Sequence, residues 1–349
     1  MAKRKLNKRQ QWRIEKIQKE RTDRASRKES DITEQLTGND LGPEQQGMII
    51  AHFGTQVEVE SLDNLNEDGV GETRRCHMRA NLGSLVTGDK VVFRMDKDEI
   101  GVVVAILPRV SELSRPNPYN EIKPVAANID FIVLVVACEP VVHPNLIDRY
   151  LVAAETLNIK PALLFNKSDL INDENRDAIN TLCESYRSLG YEVLQTSAFE
   201  LEQCESTLLD WLRSYTSIFV GQSGVGKSSL IGSILGDKSI RIGPLSELSR
   251  KGMHTTTTAK LFHIPGGGKI VDSPGIREFG LWHITEQELI EGFIELRPFI
   301  GYCRFRDCRH NSEPKCAILS AQEEGKISQT RMDSYRRIRE TLDDKETYL

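Results

Sequence analysis

Between residues 47 and 107 the chain breaks into short β-like runs of apolar and polar residues without helical periodicity. The runs are GMIIAHF, TQVEVESL, ETRRCHMRA, DKVVFRM and GVVVAIL, separated by Gly, Asn and Asp. This pattern predicts five β-strands and no helix. Five short strands in so little chain suit a small barrel, and an OB-fold fits best. Such barrels often bind oligonucleotides, but an architectural barrel reads the same way. From residue 131 the pattern changes. FIVLVVACE and KPALLFNKSDL are continuous apolar runs, as expected of strands buried on both faces. HPNLIDRYLVAAETLN and NRDAINTLCESYRSLG carry helical spacing, YEVLQTSA reads as a further strand, and TSIFVGQSGVGKSSLIGSIL as strand, loop and helix. Alternating strands and helices predict an α/β domain with a mostly parallel sheet. After GLW, residues 280–282, the chain becomes helical and basic. We therefore expect four parts: an arm at 1–40, a barrel at 41–115, an α/β domain at 116–285 and a small helical domain at 286–349. The Pro-rich passage after residue 107 reads as the boundary near 115.

Charge adds an asymmetry. The 349 residues carry a net charge of −5, yet residues 1–30 alone carry +8 and the remainder −13. A basic arm on an acidic body points to a polyanionic partner; a solvated tail is the plainer alternative. With few apolar residues, the arm is expected to be disordered when free and makes a poor membrane-surface helix. The longest apolar run, Phe131 to Ala137, is far too short to span a bilayer. No signal peptide is evident and the seven cysteines do not pair into a disulfide framework, so a cytoplasmic protein is expected.

The strongest local chemistry lies at residues 221–229, GQSGVGKSS. Gly221-x4-Gly226-Lys227-Ser228 is a complete phosphate loop, placed between a strand and a helix as its mechanism requires. Its glycines let backbone N–H groups turn onto phosphate oxygens, Lys227 reaches the terminal phosphates, and the Ser228 hydroxyl is expected on Mg2+. Gln222, Ser223, Gly224, Val225 and Ser229 complete the cradle. Alone, this loop does not separate GTPases from ATPases or kinases. Asp272 ends a later apolar strand and Gly275 follows it in an Asp-x-x-Gly pattern, with Asp272 expected near Mg2+ and Gly275 near the γ-phosphate. Between the two lies RKGMHTTTTAKLF, which fits a switch loop offering one threonine, Thr257, to the metal.

The base is read elsewhere. Asn166-Lys167-Ser168-Asp169 ends a buried strand, and Thr196-Ser197-Ala198 ends the next one. Guanine presents two neighbouring donors, N1–H and the 2-amino group, that one carboxylate accepts together, the role expected of Asp169. Adenine lacks that pair and would leave the acceptor unpaired, which is costly. Asn166 braces the loop and reaches the other purine edge, the Lys167 stem covers the base, and Ala198 N–H meets the guanine oxygen. These motifs precede the phosphate loop, whereas a conventional GTPase runs phosphate, switch, switch, base, base. A circular permutation yields the observed order, and termini that lie close together at a surface make one physically reasonable.

With the barrel pattern, NKSD, TSA, GQSGVGKSSL, HTTTT, DSPGIREFGLW and a C-terminal Cys/His cluster, residues 40–349 resemble the RsgA (YjeQ) family of circularly permuted GTPases. The resemblance implies binding to the 30S ribosomal subunit and 16S rRNA late in maturation, with GTP hydrolysis stimulated by that subunit. Ile276 stands where many GTPases place a water-orienting Gln. The family pattern puts a catalytic His at His254, which would orient water beside Lys227 and Gly275.

The cluster itself is Cys303-x4-Cys308-x-His310-x5-Cys316. Three thiolates and an imidazole suit a closed structural Zn2+ site; buried or redox-active thiols are the alternative from spacing alone, and the resemblance favours zinc. Arg304, Arg306 and Arg309 among these residues, and Lys326, Arg331, Arg336, Arg337 and Arg339 on a helix beyond them, are candidate phosphate contacts; a solvated helix face is the alternative for the later ones. The leading expectation is thus a monomeric, rRNA-binding GTPase with one Zn2+ and Mg2+ alongside GTP, with no membrane or DNA partner. A GTP-dependent metallochaperone and a nucleotide-gated binding module with negligible catalysis are the alternatives.

Overall fold

The computed structural model describes residues 41–79, 82–96, 100–116, 121–198, 201, 207–236, 259–272, 281 and 284–346. Strands β1 (Glu44–Phe53), β2 (Gln56–Leu65), β3 (Gly71–Met78), β4 (Lys90–Met95) and β5 (Gly101–Ile106) follow the five short runs. They hydrogen-bond in the order β1-β2-β3-β5-β4, and β4 returns to pair with β1, which closes the barrel. All pairs are antiparallel except β3 with β5. Alternate residues point inward, and Ile49, Val57, Val59, Cys76, Val91, Phe93 and Val103 fill the interior. A register shift between Ile49 and Ala51 bends β1, as closure of so small a barrel demands. Closure leaves no open sheet edge, so the expected barrel architecture is present.

Strands β6 (Glu112–Pro116) and β7 (Ile122–Ala127) form an antiparallel hairpin. The passage read from its prolines as a boundary therefore contains structure. Pro124 faces Ser114 just past a register shift, and Pro116 ends its strand. A two-stranded ribbon tolerates proline at such places because few ladder bonds are lost. The residues divide into two compact units, one running to Leu85 with Asp89–Pro108 and the other containing Val86–Gly88 and everything from Arg109. The hairpin belongs to the second unit, where Ala127 N–H donates to Thr87 O at 2.9 Å.

The second unit is built on β8 (Phe131–Ala137), β9 (Lys160–Asn166), β10 (Glu192–Gln195), β11 (Thr216–Val220), β12 (Lys260–His263) and β13 (Lys269–Asp272). Their spatial order is β10-β9-β8-β11-β13-β12, parallel throughout except for β12. Helices α1 (Pro144–Thr156), α2 (Arg176–Arg187), α3 (Thr207–Leu212) and α4 (Lys227–Leu235) connect them. Every residue of β8 is buried, which explains its unbroken apolar sequence. The strand that leads into the phosphate loop, β11, lies at the centre between β8 and β13, although β8, β9 and β10 all precede it in the chain.

Helices α5 (Glu286–Gly292), α6 (Ala317–Glu323) and α7 (Gln329–Glu346) complete the unit. Thr285 and Glu288 form a reciprocal capping box that starts α5. Both α5 and α7 pack on α1. At that junction Arg331 of α7 bonds Glu295 through Nε at 2.5 Å and Nη2 at 3.1 Å, and Asp148 of α1 through Nη1 at 2.5 Å. Tyr186 of α2 donates to the same Asp148 oxygen at 2.7 Å, and the guanidinium lies 4.5 Å from the Phe293 ring centre. Arg331 is thus a buried structural cation and not the surface phosphate contact expected from its sequence neighbourhood. Its side chain is 6% exposed, while those of Asp148 and Glu295 are 0% and 7% exposed. Removing one partner from a buried charge network strands the others without water. Arg331→Ala should therefore lower the unfolding free energy by about 3–5 kcal/mol, measured by chemical denaturation.

Candidate nucleotide-binding site and metal cluster

Three loops leave the carboxyl ends of neighbouring parallel strands, where open α/β sheets bind ligands. The first follows β11. Gly221 has a φ of 135°, and a Cβ there would lie 2.3 Å from Val135 O of β8, so only glycine lets the loop leave the sheet this close. Gly224 and Gly226 also have positive φ, at 86° and 91°. Gln222, Ser223 and Gly224 are exposed, Val225 is buried beneath them, and Gly226, Lys227, Ser228 and Ser229 are half-buried where α4 begins. Lys227 Nζ donates to Gly221 O at 2.6 Å and Gln222 O at 2.5 Å, which places the ammonium over its own loop.

The second loop follows β9. Asn166 is buried; its Nδ2 donates to Val225 O at 2.8 Å, and its Oδ1 has no hydrogen-bond partner among the described residues. Lys167 takes left-handed backbone angles, with φ at 62°, and its Nζ reaches Glu139 O at 2.6 Å. The third loop follows β10. Ser197 Oγ donates to Asp169 Oδ1 at 2.5 Å, Ser168 N–H donates to Thr196 O at 3.0 Å, and Ser233 of α4 donates to Ala198 O at 3.0 Å. The NKSD, TSA and phosphate-loop segments are thereby tied into one constellation. Asp272 ends β13, which pairs with β11 on the other side. His254, Thr257 and Gly275, with the N-terminal arm, lie outside the described residues.

The sequence did not reveal Ser233 or the Lys167–Glu139 contact. A serine inside a helix carries no distinctive spacing, and a backbone acceptor carries no residue signature.

Farther along the chain, one ligand atom from each of Cys303, Cys308, His310 and Cys316 lies within 4.8 Å of the others. Cys303 Sγ is 3.7 Å from Cys316 Sγ and 3.6 Å from His310 Nδ1, and Cys316 Sγ is 3.3 Å from the same nitrogen. Bonds of about 2.3 Å to sulfur and about 2.0–2.1 Å to nitrogen would set tetrahedral edges of about 3.5–3.8 Å, so the donor set fits a four-coordinate metal ion. Burial pushes the Cys308 thiol up to about 12 and lowers the imidazole of His310. A cation held by these residues would reverse the thiol shift and release protons.

The neighbouring arginines divide by burial. Arg304, Arg306 and Arg309 are exposed. Arg339 is buried, donates through Nη1 to Arg309 O, and reaches Asn311 Oδ1 at 3.0 Å. Like Arg331, it supports structure and does not present a free charge.

A phosphate loop on the central strand, preceded in the chain by NKSD and TSA loops on β9 and β10 of the same parallel sheet, defines a circularly permuted P-loop GTPase domain. The chain belongs to the RsgA GTPase family, whose model matches residues 106–282. It is 58% identical over 338 residues to the small ribosomal subunit biogenesis GTPase RsgA of Pseudomonas fluorescens strain SBW25, covering 97% of each chain. It is 56% identical to the protein of the same name from Marinobacter nauticus, covering 99% of this chain and 98% of that one. Among solved structures it resembles YloQ, described as a circularly permuted GTPase, with a TM-score of 0.69 and 29% identity over 88% of this chain and 98% of that one. The similarity to YjeQ from Thermotoga maritima has a TM-score of 0.67 at 30% identity, over 85% of this chain and 97% of that one.

The bond from Asn166 to Val225 depends on the glycine that follows Val225. A Cβ at residue 226 would lie 2.5 Å from Asn166 Nδ2 and sit on strained backbone. Gly226→Ala should separate the two loops and cost about 1–3 kcal/mol of stability, read by chemical denaturation.

Proposed function

We propose that this protein is a GTPase of small-subunit biogenesis that binds the 30S subunit and its 16S rRNA and converts GTP to GDP and phosphate with stimulation by that subunit. The observation that carries this reading is the joining of base-side and phosphate-side loops through Asn166 and Val225. Asp169, oriented by Ser197, accepts the two guanine donors, and Ala198 N–H meets the guanine oxygen. Asn166 braces the pocket and Lys167 covers the base. The backbone from Gly221 through Ser229 wraps the phosphates with Lys227 at their centre. Ser228, Thr257 and Asp272 would hold a Mg2+, which would supply charge neutralisation at the phosphates. His254 orients the attacking water in its neutral form, and Gly275 N–H meets the γ-phosphate.

Cys303, Cys308, His310 and Cys316 hold a structural Zn2+. Four protein ligands close the shell, which suits a structural role and gives no support to delivery of the metal as cargo. The barrel, the basic arm and the exposed arginines near the metal supply the RNA contacts. The protein acts as a cytoplasmic monomer with neither DNA nor a membrane as partner; no helix among the described residues is long and apolar enough to cross a membrane.

Base choice is tested by Asp169→Asn, which replaces an acceptor by a donor. The variant should lose GTP preference and gain use of xanthosine triphosphate in competition binding; unchanged preference removes Asp169 from the base pocket. Turnover measured with and without purified 30S subunits tests the partner. Stimulation should weaken steeply as salt rises, because phosphate contacts release counterions. His254→Ala should abolish the stimulated rate and leave GTP affinity near that of the parent protein. Undiminished stimulation would remove His254 from the mechanism.

A further inference from the structure

The turn that carries His310 is held from two sides by groups that are not ligands. Glu313 Oε1 accepts Arg309 N–H at 2.7 Å, and Oε2 accepts Asn311 N–H at 2.8 Å and Ser312 N–H at 3.1 Å. Three donors of one turn thus converge on one carboxylate. On the other side, Arg339 takes Arg309 O and Asn311 Oδ1. Between them His310 adopts a left-handed backbone with φ at 57°. A residue with a Cβ avoids that region unless its surroundings impose it. The turn therefore requires outside anchors, and these two side chains supply them.

We propose that Glu313 is the positioning residue of the metal site, holding the Arg309–Ser312 turn in the shape that presents His310 Nδ1 to the three sulfurs, with Arg339 fixing the same turn from α7. The proposal rests on the metal reading above and extends it to a residue that does not touch the metal. Outer groups of this kind orient the ligands and raise affinity. The carboxylate does so through the backbone on either side of the histidine and not through the imidazole. Burial alone would raise the Glu313 carboxyl, but the N–H groups of Arg309, Glu313, Asn311 and Ser312 outweigh it and hold the group at about 2. The anchor thus remains an anion wherever the thiolates can form.

The test uses the full chain with Co2+ and Zn2+ as probes. Co2+ absorption reports tetrahedral geometry, and transfer of Zn2+ to a chromophoric chelator reports affinity. Wild-type protein should take one tetrahedral Co2+ per chain. Glu313→Ala should weaken Zn2+ binding by about 10–100-fold and alter the Co2+ spectrum. Glu313→Gln keeps the shape but leaves one acceptor oxygen and turns an amide against the remaining N–H groups, so it should fall between the two. Arg339→Met, which leaves Glu313 intact, should shift affinity in the same direction, with circular dichroism confirming that each variant is folded. The proposal is overturned if Glu313→Gln matches wild type, since a space-filling role predicts that result, or if Glu313→Ala keeps the wild-type spectrum and affinity. Failure of the wild-type protein to bind Co2+ tetrahedrally would overturn the metal reading itself, and with it the role of Glu313.

Discussion

Asn166 stands at the end of β9 with its amide buried, and the three loops at this end of the sheet are arranged around where that amide goes. Its bond to Val225 O joins a loop from the early half of the α/β unit to one from the late half. A buried amide that loses its partner is penalised by about 1–3 kcal/mol, so the two loops hold each other in register. The remaining ties, from Ser197 to Asp169 and from Ser233 to Ala198, extend the same brace to the third loop. The parallel neighbours β9, β8 and β11 make this possible, because their carboxyl ends all open on one side of the sheet.

The C-terminal helices follow another logic. Two arginines eight positions apart on α7 lie on one face of the helix and are both buried. Arg331 ties that face to α1 and to Glu295, and Arg339 ties it to the turn bearing His310. Helix α7 is therefore a strut between the nucleotide-binding sheet's outer helix and the metal cluster. Its charges serve geometry at this face, while Arg337 of the same helix, Lys326 before it, and Arg304, Arg306 and Arg309 of the Cys/His loop remain exposed.

What the sequence made legible follows from how local each signal is. The phosphate loop and NKSD are contiguous, and their chemistry depends on residues a few positions apart, so they are readable before any fold is known. The short runs of the barrel are legible for the same reason, since each strand is a few contiguous residues bounded by turn residues. Arg331 was misread because its partner Asp148 lies far earlier in the chain, and nothing nearby distinguishes a buried guanidinium from a solvated one. Glu313 was overlooked because its partners are backbone N–H groups, which every residue has. The β6–β7 hairpin was hidden by Pro116 and Pro124, whose usual meaning is a loop. The metal cluster stood in between, with its residue types plain and its spacing uncommon.

The central position of β11 also bears on how the chain emerges during synthesis. Phe131 of β8 pairs with Ser217 of β11, so β8, β9 and β10 leave the ribosome well before the strand that pairs with β8 on its other side. Until then β8 is an apolar strand with one row of unpaired N–H and C=O groups, an edge to which other chains can add. Domains whose pairings are this distant in sequence fold late and expose such edges while they wait. A GTPase wired in this order thus passes through a nascent stage in which the base-side half is made and the phosphate loop is not. Arrival of β11 covers the open edge of β8 and brings the phosphate loop beside the loops that follow β9 and β10, and β13 and β12 then extend the sheet on its other side.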